Sequence, residues 1–149
     1  MMAKEGEEKM ERRRRTEILI KGRRKVLSHI VSHIRSIHKV EVINEPSLGL
    51  SMIKMRERGK GELFYIGEAL ITEAKVYVDG AMGIGILFGE DSDKALDLAI
   101  VDGAYNLNSE ECKLFYEILL REEERIKNLE NNKKNQILKT KVDFTTMEV

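Results

Sequence analysis

Val26, Leu27, Ile30, Val31, Ile34 and Ile37 recur at steps of three and four residues, which places them on one face of a helix and predicts that helix from about Arg23 to Ser36. A shorter helical stretch precedes it, from near Glu8 to Ile20, and stops at Lys21-Gly22, where glycine ends helices readily. From Val40 the period changes to short apolar runs bounded by turn residues. Lys39 to Asn44 and Leu48 to Met55 read as two strands joined across Glu45-Pro46-Ser47, since Pro46, the only proline, suits a turn. Leu63 to Ile71 reads as a third strand after the glycines at 59 and 61. Lys75 to Val78 and Met82 to Phe88 flank Asp79-Gly80, the dipeptide expected in a tight hairpin.

In the last of these strands Gly83 and Gly85 alternate with Ile84 and Ile86, so one face carries no side chain. Glycine weakens a strand, and a bare face implies that something lies close to it: a packed helix, another subunit or a ligand. Gly83 and Gly85 are therefore interface candidates. Asp91 or Ser92 caps a mostly apolar helix from about Asp93 to Tyr105, and Asn108 or Ser109 caps the next. That last helix is apolar over Cys112 to Leu120 and then becomes very polar, with a break expected at Asn131 to Asn135.

The predicted fold class is α+β: an N-terminal helix pair, an antiparallel sheet of about five strands in meanders and hairpins, a packed helix, and a long C-terminal helical arm with a docking tail. Residues 1–149 form one domain, with 1–10 expected to be disordered and 121–149 to project as arm and tail. The closing segment KVDFTTMEV sets apolar residues after a polar stretch. Ordering a terminus is costly, so these residues read as a docking peptide. Val142, Asp143, Phe144 and Met147 are the interface candidates there.

Charge adds an asymmetry that the net value of zero hides. Residues 1–39 hold 12 Lys+Arg against 5 Asp+Glu, and the remainder holds 14 against 21. Either the basic segment meets the acidic body, within the chain or across an interface, or it seeks anions. Arg12, Arg13, Arg14 and Arg15 are the anion-contact candidates, without the interleaved aromatics that base stacking uses. Asp91, Asp93, Asp97 and Asp102 suggest helix-dipole placement more than carboxylate chemistry. His29 and His33, four apart, lack the further ligands of a usual zinc spacing and read as surface or edge-of-core residues. Gly83, Gly85 and Gly89 do not have dinucleotide-loop spacing, and no GxxxxGK[ST] segment occurs. The single Cys112 cannot build a thiolate cluster or a disulfide within the chain. No run is long and apolar enough to span a bilayer, and the N-terminus has no signal-peptide pattern, so a cytoplasmic protein is expected, with no membrane partner.

One resemblance becomes specific once these segments are read together. The runs GELFYIGE (61–68), ITEAKV (71–76) and Gly83 to Asp91, the apolar helix with Ala99 and Asp102, and the ending KVDFTTM together resemble the G subunit (PhnG) family of the phosphonate carbon-phosphorus lyase system. The likeness covers roughly residues 10–149, in order. The chain departs from the family pattern at Lys141, Thr145, Glu90 and Glu148. The resemblance implies a subunit assembled with H, I and J subunits in a two-fold arrangement, with a self-mate as a further partner, and phosphonate catabolism as the process. It implies part in a transferase step that forms ribose 1-phosphonate 5-triphosphate from ATP and an alkylphosphonate, with adenine displaced. ATP would be a substrate of the complex, and the iron-sulfur cluster with S-adenosylmethionine would belong to another subunit. No cofactor, metal or catalytic residue is expected in this chain, which would be accessory. The alternative from the residues alone is a small nucleic-acid or phosphoanion-binding module working through the basic N-terminal helices; nucleic acid has no place in the leading reading.

Overall fold

The computed structural model describes residues 10–140. Along the chain run α1 (Arg12–Lys21), α2 (Arg24–Ile37), β1 (Val40–Arg56), β2 (Leu63–Val78), β3 (Ala81–Phe88), α3 (Ser92–Asn106) and α4 (Glu111–Thr140). The three strands form one antiparallel sheet in the order β1-β2-β3. The class is α+β, as expected. The strand count is not: five expected strands merge into three.

Both merged boundaries have clear physical reasons. β1 runs straight through Glu45-Pro46-Ser47, and the ladder absorbs this stretch as register shifts between Val42 and Asn44 and between Asn44 and Ser47. β1 lies at the edge of the sheet, where a residue without an N–H can sit at a bulge. In β2 the segment Thr72 to Ala74, expected to separate two strands, continues the alternation that buries Thr72, Ala74, Val76 and Val78 on one face. Thr72 tolerates full burial because its hydroxyl donates to the Gly89 carbonyl at 2.6 Å and accepts from the Asp91 N–H at 3.2 Å.

That face packs on α3, the most buried helix. The face bared by Gly83 and Gly85 is where α3 settles: a Cβ added at Gly83 would lie 2.0 Å from the Ala99 carbonyl oxygen, and one at Gly85 would lie 2.1 Å from that of Ala95. Close backbone approach is thus what the two glycines permit. Of the three occupants considered, the packed helix is the one present, so the placing of Gly83 and Gly85 at a subunit interface is corrected to an internal contact. Asp91 caps α3, accepting from the Lys94 N–H at 3.1 Å. At the hairpin between β2 and β3, Asp79 and Gly80 both take positive φ (47° and 87°), as the primed turns of tight hairpins require.

On its far side α3 meets α2 through Leu27, Ile30, Val31 and Ile34, the buried face of α2, each fully buried aliphatic contributing about 1.5–3 kcal/mol. α4 adds Cys112, Phe115 and Leu119, and Met10, the first described residue, is buried in the same core. α4 passes through Asn131 to Asn135 without a break, correcting the expected interruption, and is exposed throughout from Lys127 to Thr140, a length of about 20 Å. Intrinsic propensity there is modest, but the helix is nucleated by its packed first half.

Candidate functional site

Four arginines open α1 and three more cations, Arg23, Arg24 and Lys25, open α2. Both are helix N-termini, the end the backbone dipole makes positive, so the placement is unfavourable unless carboxylates answer it. They do, from within the chain. Arg15 is buried, donates to Asp102 Oδ1 at 2.7 Å and lies 4.2 Å from the centre of the Tyr105 ring. Arg12 donates to the other oxygen of Asp102 at 3.0 Å, and Arg14 grips Glu123 with two bonds of 2.8 Å. Arg23 donates to Glu122 through its backbone N–H and its guanidinium, while Arg24 meets Asp97 at 3.1 Å. The basic segment therefore meets the acidic body internally.

For the anion-contact candidates the consequence is direct. Arg12, Arg14 and Arg15 are occupied by Asp102 and Glu123, and Arg13 lies exposed beside an open groove over α1 with Glu11, Thr16 and Glu17. Asp102 also differs from its expected role. It sits well past the start of α3, buried, where it additionally accepts the Ile84 N–H at 3.0 Å and so caps the free edge of β3. Asn106 does the same for the Met82 carbonyl at 2.7 Å. Edge capping by side chains keeps β3 from pairing with another chain.

Two carboxylates carry the electrostatic signature of this girdle. Burial pushes Glu122 upward, but Arg125 and Arg23 outweigh it and bring its pKa down to about 2. The hydrogen bonds from Arg14 hold Glu123 at about 2. At the opposite end His38 bridges Asp79 and Glu111, tying the end of α2 to the β2–β3 turn and the start of α4. Burial lowers the pKa of His38, yet its two carboxylate partners raise it further than that, above the ordinary value. His29 is exposed and His33 sets its ring edge against Phe115 at 5.7 Å. Among the described residues no group of three or more His, Cys, Asp and Glu side chains is placed to hold a metal.

The opposite character appears on β1 and β2. Beyond Ile71, where β3 ends, they continue alone as a two-stranded ribbon, Leu50–Arg56 against Leu63–Leu70. It carries Leu50, Met52, Ile53, Met55, Leu63, Phe64, Tyr65, Ile66 and Leu70 exposed, with Leu50 at 65%. Apolar residues occur at both parities, so both faces are greasy, and a lone two-stranded ribbon is marginal in water. Sequence reading did not single out this surface. The signal was present in the uncharged stretch Ser47 to Ile53, which is apolar without strict alternation. Where the ribbon leaves the body, a groove of about 530 Å³ lies between Ile20, Ile71, Ile86, Phe88 and Lys94, with Phe88 75% exposed. Its lining is mostly apolar, with Glu90, Asp91 and Lys94 as its charged members. Val142, Asp143, Phe144 and Met147 lie outside the described residues.

These features define a class: a small α+β protein that ties its basic helices to its own acidic core and presents an apolar β-ribbon as its conspicuous surface. A family model described as "Phosphonate metabolism protein PhnG" matches residues 10–148, and the chain belongs to that family. Its sphere is phosphonate metabolism. No helix among the described residues is long and apolar enough to cross a membrane.

Proposed function

We propose that this chain is a subunit of the carbon-phosphorus lyase core, assembled with H, I and J subunits, and that it takes part in forming ribose 1-phosphonate 5-triphosphate from ATP and an alkylphosphonate with release of adenine. Its own contribution is structural. The adenine-displacing chemistry and the radical cluster with S-adenosylmethionine stay with other subunits, in a cytoplasmic assembly. Family membership supports the process, and one observation carries the role: the exposed apolar ribbon of β1 and β2, a surface that gains stability by being covered.

The test is co-expression with the H, I and J counterparts. Changing Phe64 and Ile66 together to Asp should leave the circular dichroism of the isolated chain unaltered, because both side chains face solvent, while abolishing co-purification and adenine release from ATP and methylphosphonate. A wild-type chain that never co-purifies, or adenine release at full rate without it, overturns the reading. The alternative of a nucleic-acid or phosphoanion module is disfavoured by the internal pairing of Arg12, Arg14, Arg15, Arg23 and Arg24.

A further inference from the structure

The groove of about 530 Å³ beside β3 and the open groove over α1 meet at Ile20 and Phe88, which line both and make one trough of the two. Its floor is apolar, with Ile71, Ile86 and Phe88 from the sheet and Ile20 from α1. Phe88 is 75% exposed and Ile86 47%, so this floor gains stability from whatever covers it. The α1 rim is cationic. Arg12, Arg14 and Arg15 are bound to Asp102 and Glu123, whereas Arg13 has no carboxylate partner among the described residues.

α1 and α4 run parallel, since Arg14 pairs with Glu123 and, toward the far end of α1, Lys21 lies 3.7 Å from Glu130. From Glu130 to Thr140 α4 continues for about 15 Å, past the end of α1. Lys141 to Val149 follow, with apolar residues at Val142, Phe144, Met147 and Val149. The way back from Thr140 to the trough combines that 15 Å with one helix width of about 10 Å, roughly 18 Å on the diagonal. An extended chain covers about 3.3 Å per residue, so Phe144 reaches only about 13 Å, Met147 about 23 Å and Val149 about 30 Å.

We infer that Met147–Val149 folds back over α1 and fills the trough of its own chain. Met147 and Val149 share one side of an extended segment and lie on the apolar floor; Glu148, on the other side, meets the cationic rim at Arg13. The segment ahead of Met10 suits this floor less, because Lys4, Glu5, Glu7, Glu8 and Lys9 make it mostly charged. A separate chain loses association entropy that a tethered segment keeps. The inference does not depend on the proposed subunit role.

The chain contains no tryptophan, so Met147→Trp in the full-length protein places a single fluorescent reporter in the segment, and Val149→Trp supplies a second. Emission of each should be blue-shifted and acrylamide quenching reduced relative to the same variant in urea, and dilution should change neither. Adding Phe88→Asp or Ile86→Asp, at exposed positions compatible with the fold, should return both signals to solvent-exposed values with circular dichroism unaltered. Solvent-like emission from both reporters, shielding that survives both groove changes, or shielding lost on dilution, as a segment from another chain would give, overturns the inference. Co-purification with the H, I and J counterparts is a separate readout, so failure here and failure of the proposed function are told apart.

Discussion

Glu122 sits on α4 with its side chain almost wholly removed from solvent, and it accepts bonds from the Arg23 N–H at 2.9 Å, the Arg23 guanidinium at 2.9 Å and the Arg125 guanidinium at 2.7 Å. It thereby ties the junction between α1 and α2 to α4. Glu122→Gln keeps the shape and removes the charge. A fall in pKa from 4.5 to about 2 corresponds to roughly 3 kcal/mol of stabilisation at neutral pH. Both arginine partners are partly solvated, so screening reduces the expected loss to about 2 kcal/mol. Because the folded pKa is depressed, this stability is complete above the unfolded value and is lost as pH falls from about 5 toward 2. Urea denaturation of wild type and variant should therefore show a gap of about 2 kcal/mol at pH 7 that shrinks by more than half at about pH 3. The comparison isolates Glu122 from Glu123, which titrates over the same range in both proteins. A gap below about 0.5 kcal/mol at neutral pH, or one that persists undiminished in acid, refutes the reasoning.

Gly83→Ala should cost at least about 2 kcal/mol, because the new methyl falls within 2.0–2.7 Å of Ala99 and Gly103 backbone atoms and α3 must move; Gly59→Ala, in open space, should stay within about 0.5 kcal/mol, and equal urea midpoints for the two would contradict the packing described. His38 works in the opposite pH direction to Glu122. With its folded pKa raised above 6.5, its stabilising bonds to Asp79 and Glu111 are complete below that value and are lost as pH rises through the folded pKa. Wild-type urea midpoints should thus decline between about pH 6 and pH 9 more steeply than those of His38→Gln, and parallel curves would show that the bridge carries no such linkage.

Local chemistry made several elements legible from residue order alone. The α2 face, the Asp79-Gly80 turn and the Asp91 cap each depend on a few neighbouring residues whose geometry is imposed by backbone sterics and hydrogen-bond closure. The bare strand face at Gly83 and Gly85 was legible as a close approach, but its occupant was not. That choice needed α3 to be positioned, a contact made across the fold and not along the chain.

The charge asymmetry shows the same division. Twelve cations in the first 39 residues announce that anions must be found. Whether those anions are phosphates or the chain's own carboxylates is decided by pairings such as Arg15 with Asp102, which lie 87 residues apart, and such distances carry no local signal. Strand limits failed for a related reason. Pro46 and the stretch from Thr72 to Ala74 read as breakers when judged locally, and they become tolerable only at an edge bulge and under the β3–α3 turn. The sequence by itself determined the α+β class, the helical faces, the hairpin turn and the family. Only the tertiary structure decided which glycine contact is internal and which cations are neutralised. It also decided that half of β1 and β2 extends past the cover of β3 and α3, because burial is a property of what else arrives at a surface, and residue order alone does not state that.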